Sequence, residues 1–202
     1  MNITIRNETE SDCSETENVT REAFWDLYQP GCDEHLVLHQ LRESAAFIPE
    51  LDLVACQGER IIGNIVYTRA MVKNEKGEKE VLCMGPLSVL PEFQKKSVGS
   101  FLLRTSISKA RSMGFPAVVI FGDPQYYHRF GFVNAEKFGI QTSEGKNMDP
   151  FMALDLTGRG LPDIHGRFFE DQAFQSKPED LEQFEQRFPP REKHVKPGQF
   201  RS

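Results

Sequence analysis

Residues 87–100, Leu-Ser-Val-Leu-Pro-Glu-Phe-Gln-Lys-Lys-Ser-Val-Gly-Ser, decide how the rest of this chain is read. An extended run meets Pro91, passes through a short polar loop, and turns into a helix on small residues. The start of a helix presents several unpaired backbone N–H groups at the positive end of its dipole, which together attract an anion, phosphate above all. Gly99 and Ser100 keep side-chain bulk away from that backbone, and Lys95 and Lys96 bring positive charge to the same place.

Working outward, Ile3 and Ile5 alternate with polar residues and predict a first strand. Residues 11–25 predict a helix with Val19, Ala23 and Phe24 on one side. Pro30 and Gly31 interrupt, and Asp33 is placed to cap a second helix with the apolar stripe Leu36, Val37, Leu41 and Ala45. Three strands follow, over 51–56, 60–72 and 81–89, with a charged hairpin tip at 73–79. The third holds Gly85-Pro86, and a proline removes a ladder donor there, so this strand should splay from one neighbour. A helix over 98–113 follows, expected to face Phe101, Leu102, Thr105 and Ala110 inward and to stop at Gly114. The continuous apolar run 117–121 suits a strand inside a sheet. A short helix over 125–130, a strand after Gly131-Phe132 and a last strand over 151–156 complete a mixed sheet with one βαβ unit and helices on both faces. Residues 158–202 change character: five prolines, many charges and scattered phenylalanines indicate an extension of short pieces, a helical stretch within 178–188 and a loosely held final dozen. Those phenylalanines suit packing on the core or on a second subunit, so a homo-oligomer stays open.

Composition limits the function. With 39% hydrophobic and 27% charged residues in 202, the chain can bury a core. No run approaches the roughly 18 apolar residues of a membrane helix. The start, Met-Asn-Ile-Thr-Ile-Arg, reads as a strand and not as a signal peptide, so cytoplasm is the default expectation. The scattered Cys13, Cys32, Cys56 and Cys83 lack zinc or redox spacing and read as reduced thiols. A net charge of −6 argues against a nucleic-acid partner and suits a cationic one such as an amine.

The order Val-x-Pro-x-x-Gln-x-x-x-x-Gly resembles the acetyl-CoA signature of the GNAT N-acetyltransferases, whose loop reads Gln/Arg-x-x-Gly-x-Gly/Ala. Gln94, Ser97 and Gly99 stand at its three marked places, Ser97 replacing the first glycine. About thirty residues on, Tyr126-Tyr127-His128-Arg129-Phe130-Gly131-Phe132 resembles the family's Tyr-x-x-x-Gly-Phe motif and looks most like the bacterial YhbS-like branch. The resemblance covers residues 3–157. It implies an α/β GNAT fold over 1–157 with a C-terminal extension over 158–202, and acetyl-CoA as co-substrate with no metal. It also implies pyrophosphate on the N–H groups of Gln94, Lys95, Lys96, Ser97, Val98, Gly99 and Ser100. The acetyl carbonyl would lie against Leu87, Ser88 and Val89, and Tyr127 would be the general acid to the departing thiolate.

The acceptor amine, small molecule or peptide, must lose a proton before it attacks, since an alkylammonium has a pKa near ~10. Glu34, Asp123 and His128 are the candidate bases. Glu34 is preferred because it opens the second helix, which the resemblance implies is part of the acceptor wall, and Asp123 reads first as a helix cap. His35 and His39 share an i, i+4 spacing but lack a third ligand, which points to a solvated helix face. Cys83 could form an acyl-enzyme only with a base to ionise it, and reads as a packed thiol. No serine-hydrolase elbow or nucleotide-binding glycine motif occurs. The resemblance implies an N-acetyltransferase, with a non-catalytic acyl-CoA-binding module as the alternative.

Overall fold

Hydrophobic alternation through the first half of the chain produces an antiparallel meander, in a computed structural model that describes residues 2–199. Strand β1 (Thr4–Asn7) pairs with β2 (Leu53–Gln57), β2 with the long β3 (Arg60–Asn74), and β3 with β4 (Gly77–Val89). The hairpin tip expected over 73–79 is narrower than that, because its charged residues continue the β3–β4 ladder to Asn74↔Gly77. Helix α3 (Val98–Ser112) then crosses over to β5 (Ala117–Phe121), which lies parallel to β4. Next in the chain come α4 (Pro124–Tyr127), β6 (Val133–Asn134) and β7 (Ile140–Gln141). Strand β8 (Phe151–Asp155) pairs antiparallel with both β5 and β6.

The βαβ unit opens the cleft. β4 and β5 pair only at Leu82↔Val118 and Cys83↔Val119, and beyond Cys83 the two strands part. Gly85-Pro86 lies just past the last pair, and the β3–β4 register shifts between Ile65 and Tyr67 on the other side. The expectation that proline would splay this strand is met.

Helices α1 (Cys13–Phe24) and α2 (Glu34–Glu43) cover one face and α3 the other, as adjacent residues of β3 show. Val66 packs under Val37, Leu38 and Leu41 of α2. The Tyr67 hydroxyl reaches Ser106 of α3 at 2.8 Å. The inward stripe of α3 is Leu102, Leu103, Ser106, Ile107 and Ala110. Phe101, expected inside, is half exposed at 50%, and Thr105 is exposed, because the helix is rotated so that the i, i+4 pairs 102/106 and 103/107 meet the sheet. Ala45 lies past the end of α2 and is exposed.

Val19 of α1 is buried as expected, but the rest of its buried face is polar: Thr16, Glu17, Thr20 and Arg21 lie inward. Arg42 of α2 donates to Glu8 at 2.7 and 2.9 Å and to Glu17 at 2.9 Å, and His39 lies 2.8 Å from Glu17. His35 is fully buried, correcting the solvated histidine face expected for α2. Among the described residues no group of three or more His, Cys, Asp or Glu could hold a metal ion. No described helix is long and apolar enough to cross a membrane.

Residues after 157 join the sheet and wrap the helices. Strand β9 (Gly166–Phe169) pairs with β3 and β7, and α5 (Pro178–Glu185) lies within the stretch expected to be helical. The final residues, expected to be loosely held, are tied down as far as they are described. Trp25 Nε1 donates to the Glu192 carbonyl at 2.9 Å, the His194 N–H donates to Asp26 Oδ1 at 3.0 Å, and Gln199 donates to the Asp26 carbonyl at 2.9 Å. Residues 200–202 of that final dozen lie outside the described residues.

Candidate active site

The parting of β4 from β5 leaves a cavity of about 1070 Å³. Its floor is β4 from Cys83 onward, with Leu87 and Val89 turned into it. Ser88 between them points to the other face, as strand alternation requires: it is fully buried and donates to Thr20 Oγ1 at 3.0 Å.

At one end of the cavity lies the loop before α3. The backbone adopts left-handed φ at Lys95 (58°) and Ser97 (67°), and Ser97 is the N-cap of α3. Reversals of this kind turn successive N–H groups toward one side and, with the helix terminus, build an anion-binding concavity. Gln94 braces the loop by donating to the Val89 carbonyl at 3.1 Å. Gln94, Lys95, Ser97, Val98, Gly99 and Ser100 all line the cavity. Lys96 does not: its ammonium stands over the Phe93 ring at 5.5 Å. A Cβ added at Gly99 would come within 2.8 Å of the Tyr126 hydroxyl, so the absent side chain lets the tyrosine approach.

Beside the loop, the Arg129 guanidinium stacks on the Tyr126 ring at 4.4 Å and lines the same cavity. Arg129 falls within the second motif, but the sequence assigned it no role. Its place three residues after Tyr126, around a single helical turn, was the available signal. Asp123 accepts from the Gln125 N–H at 2.9 Å, so its cap role stands, and it faces the cavity as well. His128 is exposed and does not line the cavity.

Tyr127 lines the same cavity. Its ring fits against Gly122 so closely that a Cβ there would lie 2.4 Å from Cε2, and it meets Phe132 edge-on at 5.6 Å. Burial pushes the phenol well above its ordinary pKa, so it is protonated at any working pH.

The opposite end is acidic. Glu34, in the first turn of α2, lines the cavity, and burial pushes its carboxyl up to about 7, with the neighbouring Asp33 charge adding to the rise. Asp33 is the N-cap residue of α2, but its side chain makes no cap hydrogen bond. Its carboxylate accepts instead from Ser176 and from Gln29, the latter at 3.3 Å. Glu170, just beyond β9, adds another carboxylate, 3.9 Å from the Cys83 thiol. The cavity walls raise its pKa, although the residue stays accessible from the cavity. Cys83 is fully buried and its thiol is pushed well above the ordinary range, the state of a packed thiol and not of a nucleophile. Glu170 and Phe174 were not singled out from sequence, because only the return of the chain along β3 brings them here.

One cleft thus carries a cationic, N–H-rich end, a half-buried phenol, and an acidic end where burial raises the Glu34 carboxyl to about 7. Such a site can hold a polyanion at one end and accept a proton from a cation at the other.

Residues 12–132 match the acetyltransferase (GNAT) family. The chain is 34% identical over 122 residues to the uncharacterized N-acetyltransferase YjhQ of Escherichia coli K12, covering 60% of this chain and 65% of that protein. It is 31% identical over 100 residues to the uncharacterized N-acetyltransferase YhbS of the same organism, covering 49% of this chain and 58% of that protein. These matches therefore span less than two thirds of either relative. Among solved structures, a GNAT family acetyltransferase from Brucella melitensis in complex with acetyl-CoA superposes with a TM-score of 0.69 at 28% identity, over 86% of this chain and 99% of that one. YhbS from Escherichia coli in complex with CoA shares the fold, with a TM-score of 0.75 at 24% identity, over 85% and 91% of the two chains.

Proposed function

The chain belongs to the GNAT acetyltransferase family, and from that premise we propose that it transfers the acetyl group of acetyl-CoA to a primary amine by direct attack in a ternary complex. The observation that carries the proposal is the single cavity holding both the left-handed loop before α3 and the Tyr127 phenol. Support for the co-substrate comes from the Brucella melitensis relative, which is described with acetyl-CoA bound.

In this reading residues 1–157 are the acetyltransferase domain and 158–202 its extension. The N–H groups of 94–100, with Lys95 and Arg129, hold the pyrophosphate; Lys96 adds charge from outside the cavity. The thioester lies along Leu87, Ser88 and Val89, Ser88 contributing through its backbone alone. N–H groups aimed at the developing oxyanion supply the larger share of the rate, since a single such donor is worth about 10²–10³ in kcat. Glu34 removes the proton that keeps the amine from attacking. A carboxyl titrating near 7 is matched to that task, because enough of it is ionised at neutral pH while it remains a stronger base than an ordinary glutamate. Tyr127 donates to the departing sulfur. The phenol lies above an ordinary thiol, about 8.5, but the cavity that desolvates the phenol also desolvates the thiolate, so both rise together.

Thiol release from acetyl-CoA, measured against a panel of primary amines, tests the reading. Turnover is expected with at least one amine, falling about 10²-fold or more in Tyr127→Phe. Acetyl-CoA binding without turnover would make the chain a binding module. Unchanged turnover in Tyr127→Phe would remove the acid assignment and leave the rest. Gly99→Glu places a carboxylate against the loop and is expected to abolish binding of coenzyme A; unchanged affinity would remove the pyrophosphate site.

A further inference from the structure

Glu34 is held from both sides by a segment outside the family match. On its N-terminal side, the Ser176 hydroxyl donates to Asp33 Oδ2. On its C-terminal side, His35 Nε2 lies 2.7 Å from Glu185 Oε1, although its N–H is not aimed closely enough to count as a hydrogen bond. Glu185 does not drift, because Arg21 grips it through Nε at 3.0 Å and Nη2 at 2.8 Å. The rings of Phe184 and Phe188 close over His35 at 5.4 and 5.2 Å, and Cys32 Sγ sits 3.5 Å from its Nδ1. A short helical start pinned at both neighbours of one residue leaves that residue little freedom.

We propose that Ser176 and Glu185 are positioning residues for Glu34, and that the acceptor half of the active site is incomplete without the segment 170–185. The proposal rests on the reading of Glu34 as base. Ser176 and Glu185 fix the first turn of α2 against the sheet, keeping the Glu34 carboxyl in the cavity wall and away from bulk water. The same segment supplies Glu170 and Phe174 to that wall.

The titratable groups beside Glu34 are Asp33 next to it and Tyr28 and Cys32 from the turn between α1 and α2; Asp123 and Glu170 line the same cavity. None of the groups that shift Glu34 is a cation. Releasing the turn admits water and lets the Asp33 charge move off. Both changes lower the Glu34 pKa. Loss of the Asp33 N–H that donates to Glu34 Oε2 at 3.2 Å works the other way, but burial is the largest contribution, so loosening has a net downward signature that lost stability alone does not have.

The test is a titration of the Glu34 carboxyl by carbon-13 NMR in glutamate-labelled protein, its signal assigned by its absence in Glu34→Gln. Wild type and Ser176→Thr, which keeps the hydroxyl, are expected to titrate together. Ser176→Ala and Glu185→Gln are expected to titrate lower by about half a pH unit or more. Ser176→Ala removes one half-buried hydroxyl and guards against misfolding of the Glu185 variant. If both variants titrate with wild type, the proposal is overturned. Thiol release in Glu34→Gln keeps the premise separate: a slow Glu34→Gln with unshifted variants removes only the positioning role, whereas a Glu34→Gln as fast as wild type removes the base and the positioning with it.

Discussion

Ser97 shows how one residue records a compromise in this loop. Its φ of 67° places a side chain in the left-handed region, which costs about 1–2 kcal/mol for a residue with a Cβ. Glycine removes that cost but adds about 0.5–1 kcal/mol of unfolded-chain entropy. The strain outweighs the entropy, so Ser97→Gly is expected to gain roughly 0.5 kcal/mol in urea unfolding, and Ser97→Ala nothing. A loss in Ser97→Gly would show that the hydroxyl matters more than the backbone. Glu34 gives the pH prediction at the same scale. In the proposed reaction its ionised form is the base, so kcat/KM should rise with pH through about 7, and Glu34→Gln should lose that limb. The stability sign is opposite: a carboxyl whose folded pKa is raised from 4.5 to about 7 favours the folded state at low pH, and that contribution is lost as pH rises through this window. Glu34→Gln should therefore narrow the stability gap between pH 5 and pH 8. An unchanged gap would mean that the carboxyl titrates normally.

At the scale of elements, β9 is the addition that pattern reading could not supply. It is four residues long, with Arg167 and Phe169 exposed, so its alternation is too short to stand out from an irregular tail. Its pairing with β3 depends on Gly166, whose φ is 126° and where a Cβ would lie 2.2 Å from the Lys73 carbonyl oxygen. Gly166→Ala is expected to cost about 2–4 kcal/mol in chemical denaturation. Gly58→Ala, where φ is 62° and nothing lies within 4 Å of the added Cβ, should cost only about 1 kcal/mol. Equal losses would mean that β9 adds little to the fold. The neighbouring loop and α3 were legible because their signals are local: a proline, a polar loop, small residues at the start and Gly114 at the end. The rotation of α3 was not, since Phe101 and Leu102 are equally apolar and only packing on β3 decides which goes inside.

Across the whole molecule, a buried charge network joins the N-terminal loop, helices α1 and α2 and the C-terminal segment. Arg42 links Glu8 and Glu17, whose side chains are 3% and 2% exposed, and Arg187 reaches Glu17 at 3.5 Å. Arg42→Ala leaves two buried carboxylates short of a partner and is expected to cost about 3–5 kcal/mol. A loss under about 1 kcal/mol would mean that water or His39 takes over. No periodicity announces such a network. Arg21 and Glu185 are 164 residues apart, and each alone reads as a solvated charge.

The loop before α3, its glycine and the proline-parted strand ahead of it were settled by the sequence, because backbone chemistry there is dictated by residues adjacent in the chain. The two motifs likewise identified a fold, since turns and helix starts are local events. Which carboxylate is desolvated, whether a strand residue faces cleft or core, and where the last forty residues return were decided only in three dimensions. Burial and charge pairing depend on what the folded chain brings alongside, and that distance is not written in any one stretch of it.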